Sequence, residues 1–146
     1  MAVYVGVDLG ATNIRAVVAD GSATILGSAM AETPRGPTGI AVTEAILGVI
    51  REACGQAGIT PGTASACGIG SIGPLDLAAG VVENPANLPD RIDRIPLTGP
   101  ISNLLATDDV YLHNDTIAGV IGERFHAARN PDDMVYLTIS SGIGAG

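Results

Sequence analysis

Apolar residues in this chain come in short runs, and their spacing changes along the sequence. Residues 2–8 (Ala-Val-Tyr-Val-Gly-Val-Asp) make a β-rich run that ends on an acid, two residues before Gly10. Residues 14–20 make a second run, rich in Val, and residues 24–32 a third with looser alternation. Short β-rich runs separated by glycine-bearing turns predict an antiparallel meander. Pro34-Arg35-Gly36-Pro37 then breaks the pattern.

From residue 38 to 57 the spacing becomes helical. Ile40, Ala41, Ala45, Leu47, Val49, Ile50 and Ala53 form the apolar stripe, Glu44, Arg51 and Glu52 are polar, and Gly58 is the stop. Residues 65–71 read as a compact buried strand. Residues 72–98 are proline-rich and predict an ordered, turn-rich excursion with a short strand near Val81-Val82. Residues 100–106 predict a short helix that tolerates Pro100 in its first turn. A strand over 110–113 and a helix over 116–129 follow, with Ile117, Ala118, Val120, Ile121, Phe125 and Ala128 as its apolar positions. The last strand is expected over 134–139, buried, and no partner strand is expected after the glycine-rich stretch from Ser140 to Gly146. The chain therefore reads as truncated or as an isolated domain. The order β-β-β-α-β-α-β-α-β implies an α/β fold, a mixed sheet flanked by helices.

Composition narrows the chemistry. The chain has 146 residues, which suits one domain with a real core. With three Tyr, one Phe and no Trp, small aliphatic residues must fill its interior. The net charge of −8 argues against nucleic acid or an anionic membrane as partner, because phosphate contacts need clustered basic residues. A nucleotide site stays open, since backbone N–H groups and one metal ion can hold a triphosphate. All seven basic residues are Arg; an acidic surface without Lys fits solubility at high salt, and a GC-rich genome explains the same bias. Cys54 and Cys67 lack metal or disulfide spacing and read as buried free thiols. No signal-like run and no membrane-spanning stretch is present in the sequence, so a cytoplasmic protein is expected.

Four places carry candidate chemistry. Asp8-x-Gly10-x-Thr12 lies between two strands, where a tight turn brings backbone N–H groups near a polyphosphate and Asp8 can hold Mg²⁺ through water. An ordinary hairpin turn fits the same residues. Asn114-Asp115 sits between a strand and a helix. Asp115 there is either part of the helix cap or a general base for a sugar hydroxyl attacking a γ-phosphoryl group. Asn114 can orient a hydroxyl, and Asn87 in the excursion offers another amide or merely stabilises a turn. Ser140-Ser141-Gly142-Ile143-Gly144 is a second glycine-rich phosphate turn or a plain hairpin turn. His113 reads as a packed strand residue and His126 as a solvent-facing or helix-dipole partner.

The order of these elements is more specific than any one of them. Asp8-Leu9-Gly10-Ala11-Thr12-Asn13-Ile14, Gly68-Ile69-Gly70-Ser71-Ile72-Gly73-Pro74-Leu75-Asp76, Asn84-Pro85-Ala86-Asn87-Leu88, Asn114-Asp115 ahead of Gly122-Glu123, and Leu137 to Gly146 together resemble the ROK family of repressors, open reading frames and kinases. The resemblance covers nearly the whole chain. It implies the ribonuclease-H-like fold of the actin/hexokinase superfamily and the N-terminal domain, residues 1–146, of a two-domain sugar kinase. It further implies ATP and Mg as cofactors, a hexose-type substrate and a homodimer. Asp8, Gly10 and Thr12 would form the first phosphate turn, Ser141, Gly142 and Gly144 the second. Asn87, Asn114 and Asp115 would bind sugar, with Asp115 the catalytic base.

The chain departs from the family pattern in three respects. Ala11 and Asn13 stand where Gly and Lys are usual, with Arg15 on the same strand face as Asn13. Ser140-Ser141-Gly142 replaces Gly-Thr-Gly. The cysteine-rich zinc motif of the family's second half is absent, so this part alone is expected to be inactive. The family's sugar-responsive transcription regulators and a non-catalytic sugar binder are the alternative readings. The first strand at residue 2 leaves no helix-turn-helix segment to expect, and a pure binder has no need of a base at Asp115.

Overall fold

The computed structural model describes residues 1–129, 131–140 and 142–146. Strand alternation decides what enters its core. β1 (Val3–Leu9) buries Val3, Val5, Val7 and Leu9 on one face and turns Gly6 and Asp8 to the other. β2 (Asn13–Asp20) returns antiparallel, with Ile14, Ala16 and Val18 on the buried face and Arg15 and Val17 opposite. β3 (Ile25–Glu32) completes the expected meander.

α1 (Gly39–Gln56) covers the buried face of these strands. Val42, Ile46, Val49, Ile50 and Ala53 form its inward stripe, at the i, i+4, i+7, i+8 spacing of one helix face. Ile40, expected in the stripe, is 55% exposed because it lies on the far side from Val42 and Ile46. Gly27 lets the end of α1 sit directly on β3: a Cβ there would come within 2.7 Å of the Ala57 nitrogen. Gly58, at φ +70°, closes the helix as expected.

β4 (Ala66–Ser71) runs parallel to β1. The excursion after it holds three short strands where one was expected. β5 (Leu75–Asp76), β6 (Val81–Glu83) and β7 (Arg94–Pro96) form a separate antiparallel sheet. Runs of two or three residues are too short to show an alternation. α2 (Thr98–Leu105) starts two residues before the expected position and places Ile101 and Leu105 in the core. β8 (Val110–Asn114) lies parallel to β4, giving the mixed sheet order β3-β2-β1-β4-β8.

α3 (Asp115–His126) follows without a break and packs near β4 and β8. It ends three residues short of the expected 129. Its apolar positions are not core: Ile117, Ile121 and Phe125 are 42%, 54% and 64% exposed, and Thr116 is its buried residue. β9 (Leu137–Ile139) is shorter than expected and its Leu137 and Ile139 are exposed, not buried. A partner strand does follow: β10 (Ile143–Ala145) pairs antiparallel with β9.

Candidate functional site

Parallel strands put their carboxyl ends on one rim, and ligands of open α/β sheets bind outside that rim. Here β1, β4 and β8 run together, so Leu9, Ser71 and Asn114 stand in one row across the sheet. The segments that follow these three residues are therefore neighbours. They are the Gly10–Asn13 turn, the Ile72–Gly73 segment and the N-terminus of α3.

These segments border a cavity of about 710 Å³. Asp8, Gly10, Thr12, Asn87, Asn114, Asp115, Gly142 and Gly144 all line it. Ser141, the remaining expected site residue, lies outside the described residues.

The first turn is closed from within. Gly10 N–H donates to the Asn13 carbonyl at 2.9 Å, so that N–H is already used. A Cβ on Gly10 would stand 3.1 Å from the same carbonyl oxygen. The turn is also held from outside. Thr33, 5% exposed, donates its hydroxyl to the Gly10 carbonyl at 2.7 Å and its N–H to the Thr12 carbonyl at 2.9 Å. Asp8 and Arg15 pair across β1 and β2, Oδ2 to Nη1 at 3.2 Å, and Arg15 also lines the cavity.

Asn114 is the N-cap of α3 and still borders the cavity. Its Oδ1 accepts from Thr116 N–H at 3.1 Å and from Thr116 Oγ1 at 2.6 Å. Asp115 occupies the first turn, exposed, with Oδ1 accepting from Thr116 N–H at 2.8 Å. A carboxylate in that position is favoured by the helix dipole. Asn87 lies in the turn closed by Leu88 N–H on the Pro85 carbonyl at 3.1 Å, with its side chain exposed. The second glycine turn is a hairpin in which Ser140 N–H donates to the Gly142 carbonyl at 2.8 Å.

Two carboxylates, one guanidinium, three amides and two glycine turns on one cavity suit an anionic ligand beside a hydroxylated one. Among the described residues no three His, Cys, Asp or Glu side chains cluster as a metal site. Asp8 and Asp115 both border the cavity, and Mg²⁺ held with waters and phosphate oxygens needs only one or two carboxylates.

Comparison with known proteins agrees with the geometry. The ROK family profile matches residues 4–146. The chain belongs to the ROK family. A glucokinase of Pyrobaculum calidifontis is 36% identical over 149 aligned residues, covering all of this chain and 43% of that protein. The crystal structure of a ROK hexokinase from Thermus thermophilus matches with TM-score 0.78 and 34% identity, over 99% of this chain and 46% of that one. A ROK glucokinase from Streptomyces griseus, solved with glucose and AMPPNP, matches with TM-score 0.78 and 29% identity, over 99% and 44% of the two chains. The chain thus spans less than half the length of these relatives, and its fold is that of the ROK sugar kinases.

Within this ROK domain two residues escaped the sequence reading. Thr33 has no motif around it and Thr116 directly follows Asn114-Asp115 without a reading of its own; burial with a set of local acceptors distinguishes them. The apolar side of α3 was misread for a related reason: an amphipathic pattern does not say whether its apolar face is covered.

Proposed function

We propose that the chain is the N-terminal domain of a two-domain sugar kinase that transfers the γ-phosphoryl group of ATP to a hydroxyl of a hexose-type sugar, as in glucokinase. The observation that carries this reading is the convergence of Asp8, Gly10, Thr12, Asn87, Asn114, Asp115, Gly142 and Gly144 on one cavity. The names of the related glucokinases and the glucose and AMPPNP in the Streptomyces griseus structure support the same substrates.

Each group then has a task. Asn87 and Asn114 hold sugar hydroxyls with their amides. Asp115 accepts the proton of the attacking hydroxyl while its oxygen bonds to the γ-phosphorus and the bond to the β-phosphate oxygen breaks, releasing ADP. The turn at Asp8, Gly10 and Thr12 and the turn at Ser141, Gly142 and Gly144 hold the polyphosphate. Asp8 would hold Mg²⁺ through water, and that ion would neutralise phosphate charge. Closure of the second domain over the cavity excludes water, and the domain by itself is inactive. A homodimer in the cytoplasm completes the reading. Cys54 and Cys67 as free thiols suit a reducing compartment, and among the described residues no helix is long and apolar enough to cross a membrane.

The test is a sugar panel with ATP on the full-length polypeptide, read by ADP release. Sugar-dependent turnover is expected, and Asp115→Ala should abolish it while the folded state survives. A variant that still turns over removes Asp115 as the base.

A further inference from the structure

Thr116 joins two parts of the site that are far apart in sequence. It is 5% exposed. Its Oγ1 stands 2.6 Å from Asn114 Oδ1 and 3.0 Å from the carbonyl oxygen of Ala145. Both neighbours are acceptors, and a hydroxyl has one hydrogen, so it donates to one of them at a time. Asn114 ends β8, whereas Ala145 lies on β10 beyond the second glycine turn. The two elements meet closely: a Cβ on Gly144 would lie 2.6 Å from Thr116 Cγ2. Gly144 therefore works at least as much by close approach to Thr116 as by facing the cavity.

The same residue orients the polar groups beside it. Thr116 N–H reaches both Asn114 Oδ1 and Asp115 Oδ1. Asn114 Oδ1 is thereby turned toward the helix, which leaves its NH₂ group for the cavity.

We propose that Thr116 is a positioning residue that ties the sugar-facing half of the site to its phosphate-facing half, through one hydroxyl shared between Asn114 and Ala145. This rests on the kinase reading above. Without the hydroxyl, the Asn114 amide loses its shorter bond and β10 loses its tie to α3. Both halves then loosen together.

The variants are Thr116→Val, which keeps the branched shape and removes the hydroxyl, and Thr116→Ser, which keeps the hydroxyl. In the full-length polypeptide, Thr116→Val should raise both the sugar KM and the ATP KM, each about 3- to 10-fold as befits one neutral hydrogen bond. Thr116→Ser should restore both. Dissociation constants for glucose and for AMPPNP should move in parallel. A purely structural role would lower Tm and kcat through loss of folded enzyme and leave both KM values unchanged, which overturns the proposal. A change in one KM alone overturns it too. If the wild-type protein phosphorylates no sugar, the kinase reading fails, and amide exchange then decides on Thr116. Exchange at Tyr136, whose N–H donates to the Gly146 carbonyl at 2.9 Å, should be faster in Thr116→Val than in wild type and Thr116→Ser. Equal exchange in all three proteins overturns the tie.

Discussion

Arg15 lies directly across the β1–β2 ladder from Asp8, with its Nη1 3.2 Å from Asp8 Oδ2. The side chains are 58% and 50% exposed, so the pair adds only about 0–1 kcal/mol to stability. Its significance is local. Among the described residues Arg15 is the one cationic side chain lining a cavity that also carries Asp8 and Asp115. A polyphosphate entering there meets two carboxylates, and Arg15 lies two residues beyond Asn13, the position where the ROK pattern usually has Lys. Arg15→Gln should raise the ATP KM about 10-fold, in keeping with the loss of a charge-assisted hydrogen bond, with the sugar KM little changed. Arg15→Lys should recover part of the effect. Steady-state kinetics on the full-length polypeptide check this, and an unchanged ATP KM would reduce Arg15 to a surface partner of Asp8.

Thr33 holds the first turn from the outside, with one bond to Gly10 and one to Thr12. Thr33→Val leaves the Gly10 carbonyl without that donor in a part-buried place, which costs about 1–3 kcal/mol. The expected result is a lower urea midpoint together with a raised ATP KM and an unchanged sugar KM, since the sugar-side amides stand elsewhere on the rim. Thr33→Ser should restore stability and KM. A destabilised Thr33→Val variant with a normal ATP KM would show that the clamp does not shape the turn.

Much of this geometry was legible in the residues. Alternation alone sends Asp8 and Arg15 to the face opposite Leu9 and Ile14, and the glycine at 58 ends α1 as its conformation requires. What alternation cannot supply is neighbourhood. Asp8 and Asp115 share a rim because β4 is inserted between β1 and β8 with all three parallel, a pairing with no local signature. The hairpin partner β10 went unforeseen because a three-residue strand containing Gly144 has little β pattern to read. Exposure of Ile117, Ile121 and Phe125 on α3 was equally invisible, because sequence periodicity marks a face without saying what lies against it.

Cys54 and Cys67 are buried, 0% and 1% exposed. Burial pushes the Cys67 thiol up to about 12 from its ordinary 9.0, with the neighbouring Cys54 adding to the rise. Burial raises Cys54 as well. The folded chain therefore keeps its Cys67 proton after the unfolded chain has lost it. Below pH 9.0 both states are protonated and the contribution of this thiol to stability is fully present. Above it the unfolded state is ionised first, so stability falls by about 1.4 kcal/mol per pH unit for this one group until the folded value is reached. Urea denaturation between pH 8 and 10.5 should show that fall beginning near 9, and a Cys67→Ala variant should show a shallower one. Thiol labelling of the folded chain at neutral pH should be slow and should become fast on unfolding. Equal pH slopes in wild type and Cys67→Ala would assign the alkaline loss of stability to other groups.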